Sequence, residues 1–301
     1  MDRRAHLAGV GFAVIFGLSF MFSKTALQYL TPLGLLSYRF LIAFLGFEFL
    51  RLTGVIKIKL SKQKFGRLSL VAIFQPILYF LFETFGLSLT TSSEAAMVTA
   101  AIPIFVALLG ALVSKEKPTP LQVVFILVSV AGIIMTQALK SSGGITGSGW
   151  GFVFLLLAVL SAACFNIVSR KAAGISTPFE VTYVMMFLGA VTFNLIYLIQ
   201  LLVEDRIGDY LLALRHAELI LPLLYLGLIA SVGGFFLVNY SLGRLPAHVS
   251  SIYANLSTIV TIGAGALILR EQLEYYHYLG SALILIGVYG TVRFARNIEA
   301  P

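Results

Sequence analysis

Apolar residues in this chain run in long blocks, interrupted by short polar breaks. Ten blocks can be marked, at approximately 6–27, 32–53, 68–89, 94–114, 120–138, 150–170, 179–203, 219–241, 248–269 and 274–295. Each matches the roughly 17–25 residues that a helix needs to cross the hydrocarbon core of a bilayer. The pattern predicts an all-α integral membrane protein with ten transmembrane helices. Most breaks are only a few residues long, as at Gln28–Thr31, Thr90–Ser93 and Lys115–Thr119, so consecutive helices are expected to be antiparallel neighbours. The Gly/Ser-rich stretch 139–149 reads as a flexible linker near mid-chain. The start, Met1-Asp2-Arg3-Arg4 before an apolar run, has the look of a signal peptide. Its apolar run is long and no small-x-small cleavage site follows, so it reads as a retained first helix.

Composition agrees. Of 301 residues, 59% are hydrophobic and 11% charged, against about 25% charged in a soluble protein. The net charge of +8 would suggest nucleic acid in a soluble chain. Here the distribution of Lys and Arg explains it. With both termini in the cytoplasm, fifteen of the 21 basic residues fall in inner loops, four fall outside, and Lys24 and Arg39 lie within spans. That bias sets the expected orientation: a multi-pass protein of the plasma or inner membrane whose partners are the bilayer and a small-molecule substrate, with no nucleic acid. Residues 204–218 would lie outside, and Ile207, Tyr210, Leu211 and Leu214 suggest a short amphipathic surface helix there.

Enzyme chemistry finds no support. Cys164 stands alone, and His6, His216, His248 and His277 are scattered near span ends. No metal-ligand spacing and no phosphate-binding glycine loop is present, so no cofactor is expected. The lack of an ATP motif favours gradient-driven transport over pumping.

The chain also repeats itself. Lys115-Glu116 before one apolar run matches Arg270-Glu271 before another, with Gly132 matching Gly287. Thr31-Pro32 recurs as Thr177-Pro178, and Leu18-Ser19 as Leu160-Ser161. Two units follow, 1–138 and 150–301, joined by the linker 139–149. Five helices per unit is an odd number, so the second unit enters the membrane from the opposite side. Such an inverted repeat is the usual build of a secondary transporter.

Several stretches together resemble the drug/metabolite transporter superfamily, in particular transporters with paired EamA domains. They are Thr31-Pro32-Leu33 through Arg39-Phe40, Tyr79 through Gly86, Thr90 through Ala96, Pro103, and the glutamates Glu116 and Glu271. The resemblance implies a central cavity lined by helices 1–4 and 6–9. It also implies that helices 5 and 10 stand to the rear, available for a homodimer. It implies a carrier of amino acids, amines, sugars or other metabolites, more often an exporter. One departure is Thr258 where the first half has Pro103.

Charge inside a span costs about 2.5–3.5 kcal/mol at a helix centre and is rarely idle. Lys24, Arg39, Glu48, Glu83 and Glu94 qualify. Four of them share the outer half of the membrane, which predicts a network with Lys24 and Arg39 facing Glu83 and Glu94. Gln75, Tyr79, Glu83 and Gly86 form one face of a helix. Amid Phe80, Phe82 and Phe85, Glu83 is a candidate proton carrier. Equally, it is a candidate for binding a substrate ammonium with cation–π help, or a structural partner of Arg39 or Lys24. In the second half Asn239 aligns with Glu83 and Asn166 falls opposite Lys24, while Tyr253 and Asn255 add polar groups in the ninth span. Glu48 is expected to pair with Arg51, and Glu116 and Glu271 to act as caps or loop anchors. The function these features predict is secondary transport of amino-acid-like or amine metabolites by alternating access. A lipid-handling protein, an intramembrane enzyme and a channel are the competing readings.

Overall fold

The computed structural model describes residues 3–114, 119–140, 148–212, 215–245, 247–271 and 273–294. Among the described residues all regular structure is helical. The long helices are α1 (Arg3–Ala26), α2 (Pro32–Leu52), α3 (Lys62–Ser88) and α4 (Ser92–Thr99, resuming as Ile102–Ser114). After them come α5 (Pro120–Lys140), α6 (Ser148–Ala172), α7 (Pro178–Val203), α8 (Ala217–Leu242), α9 (Ala247–Leu267) and α10 (Tyr275–Arg293). Among the described residues seven, α1–α4 and α6–α8, are long and apolar enough to cross a membrane. Pro120–Gly132 in α5 and Leu256–Leu267 in α9 are shorter apolar stretches.

The Thr-Pro steps are helix starts. Proline's missing N–H costs nothing in the first turn, and the threonine side chain accepts from a free backbone amide. Thr31 accepts from Gly34 N at 3.2 Å. Thr177 accepts from Glu180 N while the Glu180 carboxylate returns to Thr177 N at 2.9 Å, a reciprocal box that Gly34 cannot supply at the start of α2.

Three helices are irregular in mid-course. In α3 the backbone leaves helical geometry at Gln75 (φ −150°, ψ 116°), immediately before Pro76, as expected from the clash of a proline ring with a helical predecessor. Ser161 of α6 donates to Phe74 O at 2.8 Å at this break. In α8 the hydrogen bonding widens to one residue more per turn over Tyr225–Gly234, and Ser231 Oγ returns to Leu226 O at 2.7 Å. Serine hydroxyls thus serve carbonyls at irregular turns, the usual remedy where no water is at hand. In α4 the helix breaks between Thr99 and Ile102, just before Pro103, which has no N–H to offer the Thr99 carbonyl. α9 has no such break: Thr258 continues the helix and donates to Ala96 O of α4 at 3.2 Å.

The principal packing partners are α5 with α10, α1 with α9, α2 with α7, and α3 with α6, while α8 lies on α1 and α2. Glycine lets α5 and α10 approach closely. A Cβ on Gly132 would stand 2.8 Å from Gly280 O, and one on Gly287 would stand 2.5 Å from Ser129 Cβ. Contact through small residues is what membrane helices use in place of a hydrophobic drive. The main core is aromatic: Phe40 and Phe193 stack between α2 and α7, and Phe80 and Phe235 meet edge to face between α3 and α8. Between α7 and α8 the described part of the expected surface helix is Asp209–Leu212, with Leu214 outside the described residues, and Tyr210 reaches down to donate to Asn194 Oδ1 at 2.6 Å.

Candidate functional site

A cavity lies between α1, α3, α4, α6, α8 and α9, with roughly 800 Å³ of empty space, open solvent at its mouth included. Its wall is aromatic. Phe12, Phe16 and Phe20 of α1, Phe80 of α3, Phe165 of α6 and Phe235 of α8 all line it. Its polar groups come mainly from α3, where Gln75, Tyr79 and Glu83 project on one face, and from Asn166, Ser250 and Ser257. Glu83 is 3% exposed and accepts from Thr84 Oγ1 at 3.1 Å. A carboxylate so enclosed by phenyl rings and a phenol is an unusual wall for an apolar pocket, and it suits a cationic guest.

Arg39 does not line this cavity. It is 1% exposed, donates through Nε to Ser231 Oγ at 3.0 Å, and lies over the ring of Phe80 with Cζ 4.2 Å from its centroid. Its Nη2 nitrogen is buried without a hydrogen-bond partner. Arg39 and Glu83 attract each other at longer range, with no ion pair joining them.

Lys24 and Glu94 have contacts at helix ends. Lys24 donates to the carbonyls of Leu87, at 2.9 Å, and Thr90. Glu94 forms a reciprocal cap with Thr91 at the start of α4, its carboxylate accepting from Thr91 N at 3.0 Å, and comes within 3.8 Å of His277 Nε2. Of the four residues expected to form a network, Lys24 makes cation-to-carbonyl contacts and Glu94 carboxylate-to-amide contacts at helix ends, where the helix dipole favours each charge. Glu271 is an anchor, as expected. It accepts from the backbone N–H groups of Ser92 (2.9 Å) and Ser93 (3.1 Å) and from both hydroxyls (2.6 and 2.5 Å). Glu48 pairs with Arg51 and accepts from Tyr183 OH at 3.2 Å. Glu116 lies outside the described residues.

In the second half, Arg170 repeats the Lys24 arrangement. It donates to Leu242 O at 2.9 Å and to Leu245 O. The step from Lys24 to Arg170 is 146 residues, the same as from Thr31 to Thr177; Leu87 to Leu242 and Thr90 to Leu245 are both 155. The α2–α7 contacts keep the first of these offsets: Ser37 Oγ meets Asn194 Oδ1 at 2.7 Å, and Tyr183 meets Glu48. The two cation sites lie at opposite ends of the molecule, because the first turns of α6 (Gly151, Leu155) pack on Gly86 near the end of α3. This register corrects the sequence alignment. Arg170, not Asn166, stands in the place of Lys24. Thr84, not Glu83, stands in the place of Asn239, and Val238 stands in the place of Glu83.

Asn239 accordingly faces away from the central cavity. It accepts from Ser169 and donates to Thr182, at 2.8 and 3.0 Å. Tyr253 packs against Phe12 and shares a 2.6 Å hydrogen bond with His6 Nδ1, beside the cavity and not in its wall. The Asn255 side chain lies outside the described residues. Of the sequence candidates, Gln75, Tyr79, Glu83 and Asn166 converge on the cavity. The aromatic wall is not among the sequence candidates, although Phe12, Phe16 and Phe20 recur at a four-residue spacing that marks one helical face.

Comparison with known proteins decides what kind of molecule carries this cavity. The EamA-like transporter family model matches residues 3–137 and again 149–293. The chain belongs to the EamA-like transporter family. Over 287 residues it is 38% identical to the "Uncharacterized transporter YcxC" of Bacillus subtilis (strain 168), covering 95% of this chain and 92% of that one. It is 26% identical over 295 residues to a "Probable amino-acid metabolite efflux pump" of Escherichia coli (strain K12), with 96% and 95% covered. A crystal structure aligns with a TM-score of 0.66 at 17% identity over 98% of this chain and 99% of that one, a likeness of fold. The protein is thus a multi-pass membrane transporter of the EamA-like family, which is not a family of enzymes.

Proposed function

We propose that this EamA-like protein is a secondary transporter that exports amino-acid-like or amine metabolites by alternating access to the aromatic cavity. The observation that carries the reading is Glu83, a buried carboxylate in a wall of phenyl rings. In this reading it holds the substrate ammonium, and a proton takes its place on return. The printed name of the Escherichia coli relative, an amino-acid metabolite efflux pump, points the same way.

Alternating access in turn calls for two structural halves, 1–138 and 150–301 about the linker 139–149, crossing as ten helices in inverted orientation. Support comes from the Lys24 and Arg170 contacts at opposite ends, from the α2–α7 bridges at one offset, and from packing that survives exchange of the halves (α1 with α9, α4 with α6). Both termini face the cytoplasm of a plasma or inner membrane by the distribution of positive charge. The outer faces of α5 and α10, where Val124, Leu127, Leu279 and Ile286 are exposed, are available to lipid or to a second copy.

A thermal-unfolding screen of the purified protein against amino acids, polyamines, choline-like amines, sugars and nucleosides tests the substrate class. A ligand at about 100 times its Kd stabilises the folded state by roughly 2.7 kcal/mol. A shift from amines or amino acids that disappears in Glu83→Gln is the expected result. A shift that Glu83→Gln leaves intact removes Glu83 from the site, and a response only to sugars or nucleosides removes the substrate class.

A further inference from the structure

Arg39 is buried beside the central cavity without lining it. The wall at this point is the ring of Phe80, and the guanidinium stacks on that ring with Cζ 4.2 Å from the centroid. Phe40, Tyr79 and Phe235 each meet Phe80 edge to face, so the cation is fixed directly behind the wall. Nε is taken by Ser231, and Nη2 has no hydrogen-bond partner. A buried guanidinium left partly unsatisfied is costly and calls for a reason beyond packing. Glu83 follows Phe80 by one turn of α3 and lines the cavity itself, and the two charges attract each other.

The other half carries neither charge. The offset of the α2–α7 bridges places Met185 where Arg39 stands. The offset of α3 and α8 places Pro76 where Ser231 stands and Val238 where Glu83 stands. Phe80 matches Phe235, so the ring is kept. The cation, its serine and the carboxylate are thus present together in one arrangement and absent together in the other. Arg39 and Glu83 are not joined as an ion pair, so what they share is the electric field in the cavity.

Glu83 alone would make an aromatic space attractive to any organic cation. With Arg39 behind Phe80 the two charges balance. A plain amine cation then leaves one uncompensated positive charge in the membrane core, which is costly. A solute with both an ammonium and a carboxylate leaves none. Its ammonium lies at Glu83 and its carboxylate toward Phe80, one helical turn away, where the field of Arg39 acts through the ring without contact. A unit charge within about 10 Å, at an effective dielectric constant of about 20, shifts a binding constant by more than about tenfold. We propose that Arg39 is a positioning residue that sets the specificity of the central site, favouring amphoteric solutes such as amino acids over their decarboxylated amines. This role rests on the reading of Glu83 as the ammonium site, and the match to Met185 rests on the two-half reading; the stacking, the burial and the unpartnered Nη2 do not.

Matched probes test it by binding calorimetry on the purified full-length protein. Phenylalanine is compared with phenethylamine and leucine with isopentylamine, each amine being the amino acid without its carboxylate. The wild-type protein should bind each amino acid at least about tenfold more tightly than its amine. Arg39→Gln should reverse that order by a further factor of about ten or more. Arg39→Met, which installs the residue of the other half and leaves Ser231 its bond to Leu226 O, should do the same. Arg39→Lys keeps the charge and should keep the wild-type order, although it loses the planar fork. A merely structural role would weaken both members of a pair alike and leave their ratio unmoved. Amines that bind wild-type protein as tightly as their amino acids overturn the proposal, and that ratio needs no variant. A ratio unmoved in Arg39→Gln or Arg39→Met, or reversed in Arg39→Lys, also overturns it. Glu83→Gln separates this role from the reading beneath it and should abolish binding of all four probes. Binding that survives Glu83→Gln, or no binding of any probe to wild type, overturns the ammonium site and this proposal with it. Probes that all depend on Glu83 yet bind alike overturn the role of Arg39 alone.

Discussion

Lys24 and Arg170 do the same thing at opposite ends of the molecule: each donates to two carbonyls at the end of a neighbouring helix. One turn inward from each helix end the likeness stops. On α3 the cavity-facing residue is Glu83; at the matching place on α8 it is Val238. The cation at the helix end is kept because the last carbonyls of any helix need a donor and carry partial negative charge. The cavity wall is under no such demand, so only one of the two places carries a charge. Geometry common to the two halves therefore marks scaffold, and departures from it mark candidates for chemistry.

That contrast can be broken most decisively at Glu83. Glu83→Gln is expected to lower substrate flux in proteoliposomes by about a hundredfold, the scale of losing a buried charged partner. Val238→Ala should leave flux within a fewfold of wild type. Equal losses at both positions would make the cavity symmetric in function and remove the special place of Glu83.

Glu271 comes next. Its carboxylate holds four donors of Ser92 and Ser93, and Glu271→Ala should destabilise the protein by about 1–3 kcal/mol in thermal unfolding. The second-half counterparts of those serines are Ala247 and His248, with no serine hydroxyls to offer. Glu116→Ala should therefore cost less, and an equal cost would show that the two helix starts are anchored alike.

Lys24→Met and Arg170→Met sharpen the comparison by being the same. Each removes a charged donor from two carbonyls and should cost about 1–2 kcal/mol. A cost at only one of them would undo the equivalence of the two ends. The smallest effect is at the helix starts. Thr177→Ala should cost about 1 kcal/mol, and Thr31→Ala less, because Glu180 completes the box in α7 and Gly34 cannot in α2.

Reading the blocks placed helix limits close to those observed: 32–53 against Pro32–Leu52, and 179–203 against Pro178–Val203. This worked because the bilayer sets a length and a proline marks a start, both local properties. The residues of the α3 stripe were legible for the same reason, as neighbours on one helix. Alignment across halves was less so. Asn166 and Asn239 look like partners of Lys24 and Glu83 in a one-dimensional match, since the helix-end contacts that fix the register lie 63 and 66 residues apart in the first half.

Sequence alone determined the membrane class, the apolar helices and a buried glutamate amid aromatics, because each depends on residues within a few turns of one another or on their number. Tertiary structure alone decided which charges meet. It sent Lys24 and Glu94 to helix ends and set Arg39 against Phe80 and Ser231 outside the cavity wall. Those outcomes turn on how helices distant in sequence pack and on which polar groups remain to be satisfied after packing. Periodicity along one strand of text carries neither.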